Sequence, residues 1–330
     1  MKKENKKISL HLNSNRSTSF EKLIKSIVNT TSDISKVEVI VHIDSGDKIM
    51  EESISQLNER YPNLIRTISS NLIKSFADAW KPLNIILEST SETVKFISCI
   101  SDDIQFITKN WDEILLKYEN YYLDNIIRIR CSKFRYANYT DVWQCGYMPD
   151  SYAFYSKKWF EITKEWNPCI GPDSYNECIS YYLKNIGAEY DRDIINKEID
   201  FLGQEVSTNL DIKTRMQRSR IYYKAFFKLM SFRTQKRAYK KALLIAEYIA
   251  KKNNTKEFNE ISISILNVTY TNFKRRFNFF YHRGSPNHII NNKFLNIVFM
   301  AWCYISFVDA LIINIYNYCL RKKIIKDFNE

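Results

Sequence analysis

Two adjacent carboxylates, Asp102 and Asp103, follow an apolar, β-branched run in which Val94, Phe96, Ile97 and Ile100 stand close together. A run of that length and composition is what a buried strand requires. Acids delivered to the carboxyl end of a buried strand occupy the place where open α/β sheets hold their ligands. As a pair they suit a hard divalent cation that keeps several waters and also takes phosphate oxygens. An isolated Asp-Asp is more often a solvated loop, so the surrounding elements decide.

Those elements alternate. Residues 8–12 read as a strand running into the polar turn Asn13-Ser14-Asn15-Arg16. Thr18 and Glu21 have capping-box spacing, and Phe20, Leu23, Ile24, Ile27 and Val28 then repeat along one helical face. Residues 37–43 form a second strand closed by Asp44-Ser45-Gly46-Asp47. Strand, helix and strand make a βαβ unit. It lacks the G-x-G-x-x-G of dinucleotide folds, so any nucleotide must be gripped by polar side chains at the strand ends.

The alternation continues with a helix over 50–60, a strand over 64–68, and a helical segment holding Phe76, Ala79, Trp80, Leu83, Asn84 and Leu87. Beyond the two acids comes a short apolar bridge. Asn110 then caps a helix with Glu113, and Ile114, Leu115, Tyr118 and Tyr122 share its face. Residues 126–130 read as a strand, and 151–156 as another, antiparallel to the rest. Gly171-Pro172-Asp173 opens a helix with Cys178, Ile179, Tyr182, Leu183 and Ile186 inward and Gly187 as its stop.

In this order the polar groups resemble those of the GT-A glycosyltransferases, the family 2-like ones in particular. Those enzymes carry a D-x-D-type motif written G-D-D-I-x-F-x-T-x-G-W-D. Here Asp102, Asp103, Ile104, Phe106, Thr108, Trp111 and Asp112 match it, and Ser101 and Asn110 stand in place of its glycines. Asn13 to Arg16, Asp44, Ala79-Trp80, Ser156 to Trp159 and Asp173 extend the likeness over about residues 8–204.

The resemblance implies a sugar transfer from a nucleotide diphosphate. Mn²⁺ or Mg²⁺ would be held by Asp103, with Asp102 as a second ligand or turned toward the ribose or donor sugar. Asn13, Asn15 and Arg16 would line the nucleotide pocket, with Asp44 on the base or ribose. Asp173 would be the base of an inverting transfer. The residues alone leave Asp44 a turn former, Arg16 a loop arginine and Asp173 an N-cap. Trp111 and Asp112 read as architecture, a ring on the sheet and a first-turn acid.

One departure stands out. Many relatives carry E-H-x-H late in this domain, and the stretch in its place is Glu198-Ile199-Asp200-Phe201, without histidine. Either Asp200 substitutes, or the metal site is thinner, or activity is lost. The four histidines, His11, His42, His282 and His288, have no metal-ligand spacing, and two of them lie in strands.

Charge divides the chain. Of a net +12, residues 205–330 hold 23 Lys and Arg against 8 Asp and Glu, and residues 1–204 hold 26 against 29. Seven cysteines without a C-x-x-C pair argue for a reducing compartment and against a zinc knuckle. No signal peptide is visible at the start.

The expected architecture is therefore α/β. A GT-A-like, Rossmann-like mixed sheet flanked by helices covers residues 1–204, and a basic, Tyr-rich, all-helical extension covers 205–330. Within the extension the apolar stretch 294–313 fits a buried helix, an interfacial helix or a span, although Asp309 is costly in a span. The expected function is a metal-dependent glycosyltransferase using a nucleotide-sugar donor and a glycan or lipid-linked acceptor. It would be cytoplasmic, with peripheral membrane contact through 205–330. The rival is a catalytically inactive GT-A-like protein that docks to a partner or membrane through its helical part. The basic third has no nucleic-acid-binding motif.

Overall fold

In a computed structural model of the chain, the described residues are 5–75, 78–131, 149–169, 171–203, 221, 225, 228–229 and 231–253. Four parallel strands lead: β1 (Ile8–Asn13), β2 (Val37–Asp44), β3 (Ile65–Ser70) and β4 (Phe96–Cys99). They join β6 (Arg128–Arg130), β7 (Phe154–Ser156) and β8 (Asp193–Ile195) in a seven-stranded sheet of order β3-β2-β1-β4-β7-β6-β8. As the sequence predicts, β7 runs antiparallel, to both β4 and β6.

Alternation within the strands builds a core on each face. On one, Ile8, Leu10, Leu12, Val39, Val41 and Ile43 meet Phe20, Leu23, Ile24 and Ile27 of α1 (Ser17–Thr30) and Ile54 and Leu57 of α2 (Lys48–Arg60). On the other, Ile40, Ile97 and Tyr155 meet α3 (Pro82–Glu88), α5 (Lys157–Thr163) and α6 (Pro172–Ile186). Each fully buried aliphatic side chain contributes about 1.5–3 kcal/mol. Among the described residues the C-terminal third is helical. Its α7 (Phe232–Asn253) puts Ala238, Ala242 and Ala246 with Ile245 and Ile249 into the same core as α6. Small residues on one stripe let the two backbones approach closely, and Tyr182 Oη fixes the register by donating to Gln235 at 2.8 Å.

His11 in β1 shows how tightly this core is specified. Trp166 Nε1, which can only donate, gives a hydrogen bond to His11 Nδ1 at 3.0 Å. The ring proton therefore lies on Nε2, facing the hydroxyls of Ser9 at 3.0 Å and Thr90 at 3.1 Å. Burial, with Arg66 nearby, holds the imidazole down at about 3 from its usual 6.5. Between those values the unfolded chain takes a proton that the folded chain refuses, so this stabilisation is complete above pH 6.5 and is lost as pH falls. Glu177, raised by its own burial, acts with the opposite sign, so the comparison must be with a variant. Relative to His11→Gln, the wild type is expected to lose about 2 kcal/mol more unfolding free energy between pH 7 and pH 5. Parallel pH curves in urea denaturation would show that His11 does not titrate this way.

Several local expectations are corrected. The bridge after Asp103 is a strand, β5 (Ile104–Phe106), paired antiparallel with β9 (Phe201–Gly203) in a second small sheet. Thr18 lies inside α1, whose N-cap is Arg16, without a side-chain cap. Asn110 makes no side-chain cap for α4 (Trp111–Leu116); it adopts a left-handed φ of 55°, a conformation suited to the glycine it replaces. Tyr118 and Tyr122 lie in turns beyond that helix. Asp173 is not the N-cap of α6 either, since Gly171 holds that position. Helix α3 is shorter than the spacing suggests, and Phe76 lies outside the described residues. Trp111 is fully buried against Phe106 and Phe154. Asp112 accepts the backbone N–H groups of Ser32 at 2.8 Å and Asp33 at 3.0 Å, so both are architectural. No described helix is long and apolar enough to cross a membrane, and 294–313 lies outside the described residues.

Candidate active site

The parallel strands β1, β2 and β4 end on one edge of the sheet, and the polar residues gather there. Asn13 closes β1, opposite His42 in β2. Its Nδ2 donates to the carbonyl of Ala79, while its Oδ1 is buried without a partner. Asp44 closes β2, and its Oδ1 is likewise buried without a partner. Between them on the same face lies His42, whose Nε2 meets Ser70 Oγ at 2.7 Å and whose Nδ1 is unpartnered. Burial holds its imidazole below the usual range despite nearby Asp44. Three unsatisfied polar atoms on one strand-end face are costly, about 1–3 kcal/mol each. A ligand with complementary donors would recover that cost.

Asp102 is 4 % exposed and strongly held. Ser14 Oγ donates to its Oδ2 at 2.6 Å, Arg16 Nε donates to the same oxygen at 3.1 Å, and Arg16 Nη2 pairs with Oδ1. Both carboxylate oxygens are thus engaged in a guanidinium fork that ties the turn after β1 to the loop after β4. Asp102 and Asp103 raise the basicity of that guanidinium, against the opposing effect of its partial burial. Asp103 is half-buried and accepts a hydrogen bond from Ser101 Oγ. Asn15 is exposed in the turn.

Asp173 lies in the first turn of α6, where Ser151 Oγ donates to it at 3.4 Å. Burial pushes the Cys99 thiol at the end of β4 up, and the charge of Asp173 adds to that shift. A buried ion network anchors the next turn of the same helix. Arg128 of β6, fully buried, pairs with Glu177 and meets both oxygens of Asp193 at 3.1 and 3.0 Å. Glu177 also accepts the backbone N–H of Asp150 at 3.3 Å. Burial pushes the Glu177 carboxyl up to about 7, against the pull of Arg128 and Arg130.

The antiparallel register of β5 and β9 decides the place of the stretch 198–201. Gly203 is opposite Ile104, and Ile107 N–H bonds to the carbonyl of Asp200. Asp200 is therefore displaced from Asp103 by roughly 13 Å along the strand, so it is no substitute ligand. The residues after Gly203 lie outside the described ones. Among the described residues no group of three or more His, Cys, Asp and Glu is set to hold a metal. One carboxylate completed by waters and substrate phosphates is nevertheless a form that Mg²⁺ sites take, and Asp103 fits that form.

Sequence reasoning gave no role in the site to three residues beside it. Ser14 sits inside the quoted turn and bonds Asp102; His42 shares the strand face of Asp44, a period-2 relation readable from the sequence. Trp80, next to the Ala79 carbonyl that anchors Asn13, has Lys228 Nζ 5.9 Å above its ring, and no spacing rule links those two positions. A cavity of about 260 Å³ elsewhere contains none of the predicted site residues. It opens at the start of β4, where Lys95 is paired with Glu119 at 3.2 Å.

No protein-family model and no curated protein matches the chain. Among solved structures, the mannosyltransferase PcManGT from Pyrobaculum calidifontis, in complex with GDP-Man and Mn²⁺, matches with a TM-score of 0.51 at 11 % identity. The alignment covers 92 % of this chain and 87 % of that one. S. aureus TarS 1-349 in complex with UDP-GlcNAc matches at a TM-score of 0.46 and 10 % identity, covering 92 % of this chain and 89 % of that one. The former likeness extends to the fold and no further: the chain has the GT-A-like, mixed-sheet fold that a mannosyltransferase also uses.

Proposed function

We propose that the chain is a glycosyltransferase that takes a sugar from a nucleoside-diphosphate donor. The observation that carries this reading is the pair of buried, unpartnered acceptors Asn13 Oδ1 and Asp44 Oδ1 on the strand edge that also holds Asp102 and Asp103. In this reading the nucleoside occupies the Asn13, His42 and Asp44 face, with Asn15 at its rim. The diphosphate then lies over the turn after β1, within reach of Arg16. Asp103, with Asp102 beside it, is assigned to Mn²⁺ or Mg²⁺. The cation supplies neutralisation of the charge that grows on the leaving diphosphate.

Asp173 takes the proton from an acceptor hydroxyl as its oxygen bonds to the anomeric carbon. The bond from that carbon to the diphosphate breaks in the same displacement, which inverts the centre. The 150–151 segment and the Arg128–Glu177 pair hold the first turn of α6 and thereby orient that carboxylate. The acceptor is assigned to the class of glycans or lipid-linked sugars, and residues 205–330 to a peripheral, membrane-facing or glycan-facing unit. The division at residue 204 belongs to the same proposal. A thermal-shift screen with UDP-, GDP-, CDP- and dTDP-sugars, each with and without Mn²⁺, tests it. One base series is expected to stabilise the fold, more so with Mn²⁺; a flat response to all four would contradict the reading.

A further inference from the structure

We infer that Arg16 gates the cation site, holding Asp102 closed until an anionic diphosphate draws the guanidinium away; this rests on the transferase reading above. The guanidinium fork engages both oxygens of a carboxylate that is 4 % exposed, with Ser14 Oγ on the same group. A cation approaching Asp103 would then meet a neighbouring carboxylate already neutralised, and a fixed positive charge beside it. The Asp102 side chain is buried whereas that of Arg16 is 36 % exposed, so the arginine is the partner that can move. Guanidinium binds phosphate in the same bidentate geometry as carboxylate, and a diphosphate offers more negative charge than one aspartate.

With Arg16 turned onto the diphosphate, Asp102 loses the guanidinium fork while keeping the bond from Ser14, and it stands next in sequence to Asp103. The cation site is thus completed by the donor, and the order of binding is donor first, cation second. Linkage then requires that the cation tighten the nucleotide by the same factor by which the nucleotide tightens the cation.

The test is the affinity for Mn²⁺, read from the electron paramagnetic resonance of the unbound hexaaquo ion, on the full chain. Without nucleotide, Arg16→Gln is expected to bind Mn²⁺ about tenfold tighter than the wild type, and Arg16→Lys to fall between them. Saturating nucleotide, whichever of the four bases binds, should tighten Mn²⁺ by a larger factor in the wild type than in Arg16→Gln, with Mn²⁺ chelated by free nucleotide subtracted. Equal or weaker Mn²⁺ binding in both variants, with circular dichroism intact, would overturn the gate. If calorimetry finds none of UDP, GDP, CDP and dTDP bound to the wild type, the transferase reading fails as well. Nucleotide binding with no gain from Arg16→Gln sinks the gate alone.

Discussion

Asp103→Ala is expected to lower donor turnover by roughly 10²–10³-fold, the loss typical when one preorganised stabiliser of transition-state charge is removed. The reason is positional. Before donor binds, Asp102 is committed to Arg16 and Ser14, and Asp200 is displaced along the β5–β9 ladder. Asp103, next to Asp102, accepts one hydrogen bond, from Ser101. Its replacement removes the anchor for the cation while leaving the buried nucleoside face intact. Hydrolysis of the nucleotide-sugar, followed as nucleotide release with and without Mn²⁺, is the readout. The variant should lose the Mn²⁺-dependent part of the rate. A variant as fast and as metal-responsive as the wild type would move the cation elsewhere or dispense with it.

Asp173→Asn has an effect of similar size through a different step. A general base contributes about 10²–10⁴-fold, and asparagine keeps the size and the hydrogen bond to Ser151 while removing the proton acceptor. The expected result is a fall in kcat of that order with donor affinity unchanged. The anchors of its helix, Pro172 at the start and Glu177 on Arg128, are untouched by the substitution. Donor affinity falling in step with kcat would assign Asp173 a structural role at the start of α6. A rate unchanged within a few fold would leave the transfer without this base.

The sheet was legible because its signals are strong and local. Val37 to Asp44 is a β-branched run, and the spacing of Phe20, Leu23, Ile24 and Ile27 matches one helical face. The small strands were not. Ile104–Phe106 and Phe201–Gly203 are three residues each and draw their stability from a partner almost a hundred positions away, which no local pattern records. Helix starts failed for a related reason. Thr18 and Glu21 have capping-box spacing, yet the turn after β1 is claimed by the bonds of Arg16 and Ser14 to Asp102, a tertiary contact that outweighs a local cap. Candidate residues could be proposed from the sequence, but how they are wired to one another could not. Asn13, Arg16, Asp44, Asp102, Asp103 and Asp173 could be named from type and order. That Asp102 would be forked by Arg16, and that His42 would present an unpartnered Nδ1 between Asn13 and Asp44, required the register of three strands.

The measurement that bears most directly on all of this is calorimetric titration of the wild-type chain with UDP, GDP, CDP and dTDP in the presence of Mn²⁺, repeated on Asp44→Ala. If the unpartnered oxygens at the ends of β1 and β2 are a nucleoside seat, one of these diphosphates binds saturably and Asp44→Ala weakens it by about tenfold or more, the worth of a hydrogen bond to a charged group. Heats indistinguishable from dilution for all four, in a protein whose fold is intact, would contradict the account at its root.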